Sequence, residues 1–561
     1  MWARPSASKC VSGSFIGATG SGKRLRHHSD ALSARFRVTN RSKLWSPAAL
    51  RRVALACALA LGAPLGSAPA FAQNNLPALG DPDSADFGVG TERKIGDEIM
   101  REIRRDPAYM DDPLLLEYVQ SIWQPLLAQA RTLGNITSEI DQRFAWEPFL
   151  VRDASVNAFA LPGGYVGVHL GLIAITANRD ELASVLAHEM SHVTQRHIAR
   201  SVTSGKRQSL ASMAALVLGL LAASRSNSPD AVNAVVAGSQ AAAIQGQLNF
   251  SRDMEREADR VGFAVMSGAG FAPAGMASMF EKMEQSTRLT DAGGFPYLRT
   301  HPLTSQRIGE ARSRLGTAPP VRLAGALEHT VAEARARVLM DTRSDALRVR
   351  QAQDAITTGT LAERLLAACE SAHASSLLRD WARADAGFAR ALSLARSAPE
   401  RSPRAERAIV FEMVQSQLSR GEAAKAGETF RPYANERSRP ALLLGSQLAL
   451  AAAPLDDATI KARASDLQTW VATHPNDSLA WTVLGQAWAK VNQPLRALRA
   501  EAEARVALGD LVGAIDRLRA GQRVARGGGP VDFIDASVID ARLRDVETQR
   551  KQLEADEKAL R

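Results

Sequence analysis

Apolar residues recur at helical spacing in the stretch from Asn178 to His197. The members of this stripe are Leu182, Val185, Leu186 and Val193. Residues three or four apart lie on one face of an α-helix, so the stripe predicts a helix with an apolar face. Asn178 stands just before the stripe and Glu181 follows three residues later. This is the pattern of a capping box, and it predicts where the helix begins.

Two helices, a strand and a hairpin are predicted before this stretch. Residues 93–131 have helical periodicity with a break at Asp111-Asp112-Pro113, and Arg143 to Val151 is predicted to be a strand. The turn Pro162-Gly163-Gly164 then joins two further apolar runs, which predicts a hairpin leading into the helix.

The first run of this hairpin contains Asn157, Ala158 and Phe159. A strand beside a metal site can bind an extended peptide by adding it to the sheet, so these three residues are candidates for the substrate-binding strand. An ordinary core hairpin is the alternative that spacing leaves open.

Pro319-Pro320 is the predicted end of a first domain over residues 73–320. The chain after it is rich in Ala, Leu and Arg. Residues that fit the 34-residue tetratricopeptide template are Trp481, Leu484, Gly485, Trp488, Ala497 and Ala504. The matches are irregularly spaced, so we expect a degenerate α-solenoid over 325–530 and a charged helical tail at 531–561. Such arrays present a concave surface to peptides or partners, although a helical domain without that role has the same pattern.

Residues 208–224 form a run of seventeen without a charged side chain. A helix that spans a bilayer needs about 20 apolar residues, so this run is at the lower limit. A buried core helix, a segment that contacts the membrane interface and a true span all remain open. The last alternative would make the protein integral to the membrane.

The net charge of +10 is concentrated in the first 72 residues. They contain eleven Lys and Arg and one Asp, and the remainder has 58 basic and 58 acidic residues. Bulk charge therefore gives no support for a nucleic-acid partner, and we expect none. The same region has the pattern of a secretory signal: Arg51-Arg52, an apolar run over 53–63, and Ala70-Phe71-Ala72 as the cleavage site. We expect cleavage after Ala72.

The predicted helix carries the motif His188-Glu189-x-x-His192. Two histidines four residues apart share a helical face and can bind one ion. Zinc suits them because it takes neutral imidazole and lowers the pKa of a bound water to about 7. Glu189 would then be the catalytic acid/base that takes the proton of the water and returns it to the leaving amine. A surface helix with two histidines is the alternative.

A site with two histidines needs a further protein ligand, and Glu255 with Asp259 four residues later offers one. One carboxylate can bind the metal while the other orients a ligand histidine. Spacing does not decide between Glu255 and Glu257, and a solvated charged helix has the same pattern. His197 does not fit the third-ligand position of the metzincin pattern. We expect His197 to be either a surface histidine or the partner of a ligand.

Together these motifs resemble the zinc peptidase family that includes the CAAX prenyl proteases and the bacterial heat-shock membrane proteases. The resemblance is carried by Asn157-Ala158-Phe159-Ala160-x-Pro162-Gly163-Gly164, His188-Glu189-x-x-His192, Glu255-x-x-x-Asp259, and His301-Pro302 with Arg307. It implies a mainly α protein with a compact zincin-like metalloprotease domain and a small edge sheet, holding one Zn²⁺ per chain.

The resemblance also implies roles for individual residues. The zinc ligands would be His188, His192 and Glu255. Glu189 would be the catalytic acid/base, and Asp259 would assist catalysis by orienting a ligand histidine.

His301 is the candidate fourth ligand and gate, because it corresponds to a histidine that can occupy the open position of zinc in this family. By its spacing alone, a His-Pro pair is more typical of a turn. Arg307 is expected beside the ligands.

With the signal and the repeats, the resemblance implies a periplasmic endopeptidase that degrades or helps to assemble outer-membrane β-barrel proteins. The expected partners are unfolded or misassembled outer-membrane proteins, and the barrel-assembly machinery through the repeats. Association with the outer membrane and peripheral membrane contact through 208–224 are alternatives that stay open. The alternative is a non-proteolytic holdase or assembly scaffold with a closed, structural zinc site. Glu189 has no purpose in such a site, but His301 could close it.

Overall fold

The computed structural model describes residues 88–203, 252–289, 297–298, 301–316, 327–527 and 533–560. The predicted signal, the uncharged run 208–224 and the predicted boundary at Pro319-Pro320 lie outside these residues. The described part is mainly α-helical with one small sheet, as the sequence predicts, and belongs to one compact unit, Pro77–Arg561. Within it, no helix combines the length and the apolar character that crossing a bilayer requires.

The elements up to residue 315 are α1 (Val89–Ile103), β1 (Tyr109–Met110), α2 (Pro113–Thr132), α3 (Ser138–Arg143), β2 (Glu147–Val151), β3 (Ala158–Leu161), β4 (Tyr165–His169), α4 (Leu170–Ile175), α5 (Arg179–Thr194), α6 (His197–Thr203), α7 (Arg252–Gly268), α8 (Ala274–Leu289) and α9 (Ser305–Leu315). The two predicted early helices, α1 and α2, are confirmed. Their break has the expected cause, because the Asp112 side chain accepts the N–H of Leu115 and Pro113 opens the first turn of α2.

The predicted strand over Arg143 to Val151 is wrong at its beginning. The Thr137 side chain accepts the N–H of Ile140 and caps α3, which continues to Arg143. β2 begins only at Glu147. A polar cap thus extends a short helix into what the apolar pattern assigns to a strand.

The sheet has the strand order β1-β2-β4-β3, so β3 is at an edge of the sheet that the described residues form. β2 and β4 run parallel, and the other pairs run antiparallel. The predicted hairpin is confirmed, with Phe159 of β3 opposite Gly167 of β4. Gly167 leaves room for the Phe159 ring in its present position, because a Cβ at 167 would lie 2.4 Å from that ring.

α5 is buried along nearly its whole length. The single apolar stripe in the sequence predicts burial of only one face of this helix. Every residue from Glu181 to Thr194 is buried, because α2, α7, α8 and β3 all pack against this helix. Asn178 caps it as predicted, accepting the N–H of Glu181 at 2.9 Å. The capping box is incomplete: the Glu181 carboxylate accepts the N–H of Ala177 and contacts Lys282, both at 2.7 Å.

The later helices are α10 (Leu327–Leu339), α11 (Ser344–Gln351), α12 (Leu361–Leu377), α13 (Trp381–Arg396), α14 (Pro403–Ser419), α15 (Ala423–Phe430), α16 (Arg439–Ala451), α17 (Asp457–Thr473), α18 (Ser478–Lys490), α19 (Pro494–Ala507), α20 (Leu511–Arg526) and α21 (Phe533–Leu560). Consecutive helices pack on one another, and Trp481 and Trp488 of α18 share a core with Ala497 and Ala504 of α19. That these helices are tetratricopeptide repeats stays a prediction.

α10 joins this helical array to the elements around α5. The Tyr118 hydroxyl donates to Nδ1 of His329 at 2.6 Å, and Nε2 of His329 donates to the carbonyl of Thr176 at 2.8 Å. On the same helix, buried Arg335 pairs with Asp112 at 2.7 Å and with Glu412 at 3.3 Å. The segment just before α5 and the start of α2 are thus bonded to the array.

The substitution Gly96→Ala tests the packing of α1 against the hairpin turn. A Cβ at 96 would lie 2.0 Å from the carbonyl oxygen of Pro162, so the backbones must separate. We expect the free energy of unfolding to fall by about 1–3 kcal/mol, measured by urea denaturation. Gly427→Ala is the control: nothing lies within 4 Å of that position in α15, and alanine should stabilise the helix by about 1 kcal/mol. Equal stability changes in both variants would contradict the packing.

Candidate metal centre

α5 places His188 and His192 one turn apart with their rings converging. Their Nε2 atoms are 3.0 Å apart, and both side chains are buried. Two bonds of about 2.0–2.1 Å in tetrahedral geometry set ligand nitrogens about 3.3 Å apart, close to this separation. Burial and the neighbouring His188 hold the pKa of His192 well below its ordinary value, which favours the neutral imidazole that a metal requires.

α7 brings Glu255 to the same point. Its carboxylate oxygens lie 3.5 Å from Nε2 of His188 and 3.5 Å from Nε2 of His192. Gly262 allows α7 to approach α5 this closely, since a Cβ there would lie 3.1 Å from the Ala187 carbonyl. Glu257 points elsewhere and contacts His197 and Arg200, so geometry separates the two glutamates that spacing does not.

His301 completes the cluster. Its Nδ1 lies 3.0 Å from Oε1 of Glu255 and 3.4 Å from Nε2 of His188. One ligand atom from each of His188, His192, Glu255 and His301 lies within 4.8 Å of every other, and all four side chains are buried. Three imidazoles and a carboxylate, converging away from water, fit a divalent metal ion.

Asp259 and Arg307 support this cluster from behind. Oδ1 of Asp259 is 2.9 Å from Nδ1 of His188, the nitrogen on the far side of the ring from the cluster. Arg307 donates to both oxygens of Asp259, at 2.6 and 2.8 Å, and its Nη1 lies 2.8 Å from Glu255. Burial raises the pKa of Asp259, but hydrogen bonds from Arg307 and His188 outweigh it and hold that pKa below its ordinary value.

Glu189 is fully buried next to the cluster, with Oε1 3.6 Å from Nε2 of His301. Burial is the main reason that the pKa of this carboxyl is raised above its ordinary value. A raised pKa suits a group that must both accept and return a proton. Tyr297 stacks on the His301 ring with centroids 4.6 Å apart, and the sequence pattern does not indicate this neighbour.

His197 is buried rather than on the surface, and it contacts His192, a candidate ligand. Its Nδ1 is 2.9 Å from Nδ1 of His192, and its Nε2 is 3.1 Å from Glu257. Burial lowers the pKa of His197 to about 4, so the ring is neutral at pH 7. The surface alternative for His197 is therefore wrong, and its role as the partner of a ligand stays a prediction.

The candidate substrate strand lies at the sheet edge and packs against α5. Ala158 and Phe159 belong to β3, and Asn157 precedes it, its carbonyl accepting the N–H of His169 at 3.1 Å. Ala158 is buried and Phe159 is half-buried. The structure thus brings the hairpin to the helix that carries the histidines, while peptide binding by these three residues stays a prediction.

Comparison with known proteins gives consistent matches. Residues 118–315 match the model of peptidase family M48. The beta-barrel assembly-enhancing protease of Escherichia coli is 30% identical over 476 residues, which is 80% of this chain and 88% of that protein. A Vibrio cholerae relative is 38% identical over 270 residues, 48% of this chain and 53% of its own length. The mitochondrial metalloendopeptidase OMA1 of Saccharomyces cerevisiae is 30% identical over 217 residues, 37% of this chain and 58% of that protein.

The substitution Glu255→Gln tests the ligand set. The amide removes the charge that faces His188 and His192, so we expect the purified protein to lose most of its bound metal, measured by elemental analysis after gel filtration. Asp253→Asn, an exposed carboxylate two residues earlier on α7, is the control and should keep one metal per chain. Full metal content in Glu255→Gln would remove Glu255 from the ligand set.

Proposed function

The chain belongs to peptidase family M48, and from this premise we propose that it is a zinc endopeptidase acting in the periplasm on outer-membrane β-barrel proteins. The observation that carries the zinc assignment is the buried cluster of His188, His192, Glu255 and His301 with Glu189 beside it. Zinc prefers nitrogen ligands with a carboxylate, and this is the donor set that converges here.

The chemistry divides between the metal and the chain. Zinc, when bound, supplies a Lewis acid that polarises the scissile carbonyl and acidifies water. Glu189 takes the proton of the attacking water and delivers it to the leaving amine. Because Glu189 is buried, it exchanges this proton within the site. Asp259 and Arg307 hold the ring of His188, and β3 holds the substrate extended along the sheet edge.

We propose that His301 acts as a gate of the site. If His301 binds the metal together with His188, His192 and Glu255, these four protein ligands would leave no position for water, and cleavage would require His301 to withdraw. His301 follows Tyr297, whose carbonyl accepts the His301 N–H at 2.9 Å, and the two rings stack. In this proposal, withdrawal of His301 from Glu255 would govern whether the protease is active.

The substrate class and location are supported by the relatives and by the sequence. The chain aligns with 88% of the length of the Escherichia coli relative. That relative is called a beta-barrel assembly-enhancing protease. The signal pattern before Ala72 supports export to the periplasm. We propose that unfolded or misassembled outer-membrane proteins are the substrates, that the helical array binds the barrel-assembly machinery, and that the protein also has a chaperone-like role in assembly. Peripheral contact of residues 208–224 with the outer membrane belongs to the same proposal.

A second candidate function is a non-proteolytic holdase or assembly scaffold. One observation favours it: His301 completes a set of four ligands, which is typical of structural zinc sites. Glu189 argues against it, because a fully buried carboxyl beside the ligands is costly and has no part in holding the metal.

The substitution Glu189→Gln separates these functions. It removes the proton acceptor and leaves the ligands, so we expect cleavage of an unfolded outer-membrane barrel protein to fall by about 10²- to 10⁴-fold while one zinc is retained. Glu139→Gln, on exposed α3, is the matched control and should cleave like the wild type. Binding of the barrel protein without cleavage by any of the three proteins would favour the scaffold.

The substitution His301→Ala tests the gate. Removing the imidazole opens a metal position, so we expect faster cleavage of the same barrel protein with zinc retained. His474→Ala, at an exposed histidine of the array, controls for loss of a histidine as such. Unchanged or slower cleavage in zinc-loaded His301→Ala would exclude the gate.

A further inference from the structure

The two histidines of α5 each use both ring nitrogens, and the partner of His192 has no assigned role. Nε2 of His192 faces the cluster, 3.0 Å from Nε2 of His188. Its Nδ1 lies 2.9 Å from Nδ1 of His197, whose side chain is completely buried. The far side of His192 is therefore met by a second imidazole inside the protein.

The contacts continue outward from His197. Nε2 of His197 is 3.1 Å from Oε2 of Glu257, and Nη1 of Arg200 is 2.8 Å from the same oxygen. Glu257 is about a quarter exposed, so the chain of contacts runs from the buried ligand to the surface.

Binding of a metal by His192 would determine where the protons lie along this series of side-chain contacts. If Nε2 of His192 binds the metal, its Nδ1 carries the hydrogen and donates it to the unprotonated Nδ1 of His197. The hydrogen of His197 is then on Nε2, where it is donated to Glu257. Each contact has one donor and one acceptor, so the whole set is compatible with a neutral, metal-binding His192.

The backbone is shaped to make this contact. Arg196 has φ 51°, a left-handed conformation that is unfavourable for a residue other than glycine. It ends α5 and redirects the chain into α6, so that His197 folds back onto His192 five residues earlier. Arg196 is held there by buried Glu92, with Nε 3.2 Å from Oε2.

His188 has a counterpart of the same design. Its Nδ1 is met by Asp259, which is held in turn by Arg307. The contacts of His192 follow the same order through His197, Glu257 and Arg200. The difference is that the His197 imidazole lies between the candidate ligand and the carboxylate. Both series end on an arginine, and each fixes one ligand ring.

We propose that His197 and Glu257 are positioning residues that orient His192 for metal binding. This inference rests on the proposed zinc site and is independent of the proposed substrate. Neither residue touches the reacting atoms. Partners of this kind typically contribute 10- to 100-fold to metal affinity.

The test is zinc affinity, measured on metal-free mature protein by competition with a chromophoric chelator. We expect His197→Leu, which has no acceptor, to weaken zinc binding by about 10- to 100-fold. His197→Asn places a carboxamide oxygen near the position of Nδ1 and should recover part of the affinity. Asp253→Asn on α7 is the control and should bind zinc like the wild type.

Glu257→Ala provides a second variant that does not disturb a buried ring. It removes the outer acceptor and should weaken zinc binding in the same direction, with Glu257→Gln, which keeps an acceptor oxygen, between it and the wild type. Thermal unfolding of each metal-free variant reports stability separately.

Wild-type zinc affinity in both His197→Leu and Glu257→Ala would overturn the proposal. So would losses of affinity that follow only the losses of metal-free stability, or an Asn variant as weak as the Leu variant. Failure of the wild type itself to bind zinc would instead reject the metal assignment.

Discussion

The structure depends on compensating a group of ionisable side chains that are buried together. Glu189, Glu255 and Asp259 have at most 1% of their surface exposed, and an uncompensated carboxylate in such a place costs several kcal/mol. Arg307 offsets part of this negative charge, because its single guanidinium contacts both Glu255 and Asp259. The imidazoles of His188 and His192 also contact these carboxylates, and the charge of a bound metal ion would offset the rest. The fold around α5 therefore has to hold charges close together and exclude water at once.

Close helix packing meets this requirement. α5 is covered on all sides, its first turn is capped by Asn178, and Glu181 in that turn is bonded by Lys282. Gly262 lets α7 approach the backbone of α5 at Ala187, which brings a carboxylate within reach of the histidines. Side chains in such an environment have few alternative rotamers, so ligand positions are set before a metal arrives. Preorganised ligands favour tight binding and a defined geometry.

The helical array is structurally continuous with the peptidase part. His329 of α10 donates to the carbonyl of Thr176, two residues before the cap of α5, and Arg335 pairs with Asp112 at the start of α2. Although burial favours the protonated form of Asp112, Arg335 outweighs it and lowers the pKa of this carboxyl. Breaking either contact would leave buried polar groups without partners, which makes separation of the two parts costly. A partner bound to the array would thus act on the unit that also holds α5.

Local chemistry in the sequence determined where α2 and α5 begin, the Pro-Gly-Gly hairpin and the spacing of His188, Glu189 and His192, because caps, turns and helical faces depend on residues a few positions apart. Other features were decided only by tertiary structure, because they depend on contacts between distant segments. Spacing left Glu255 and Glu257 equivalent, and helix packing turned one towards His188 and the other towards His197. Likewise, only folding could bring Tyr297 and His301 beside Glu189, since more than a hundred residues of chain separate them.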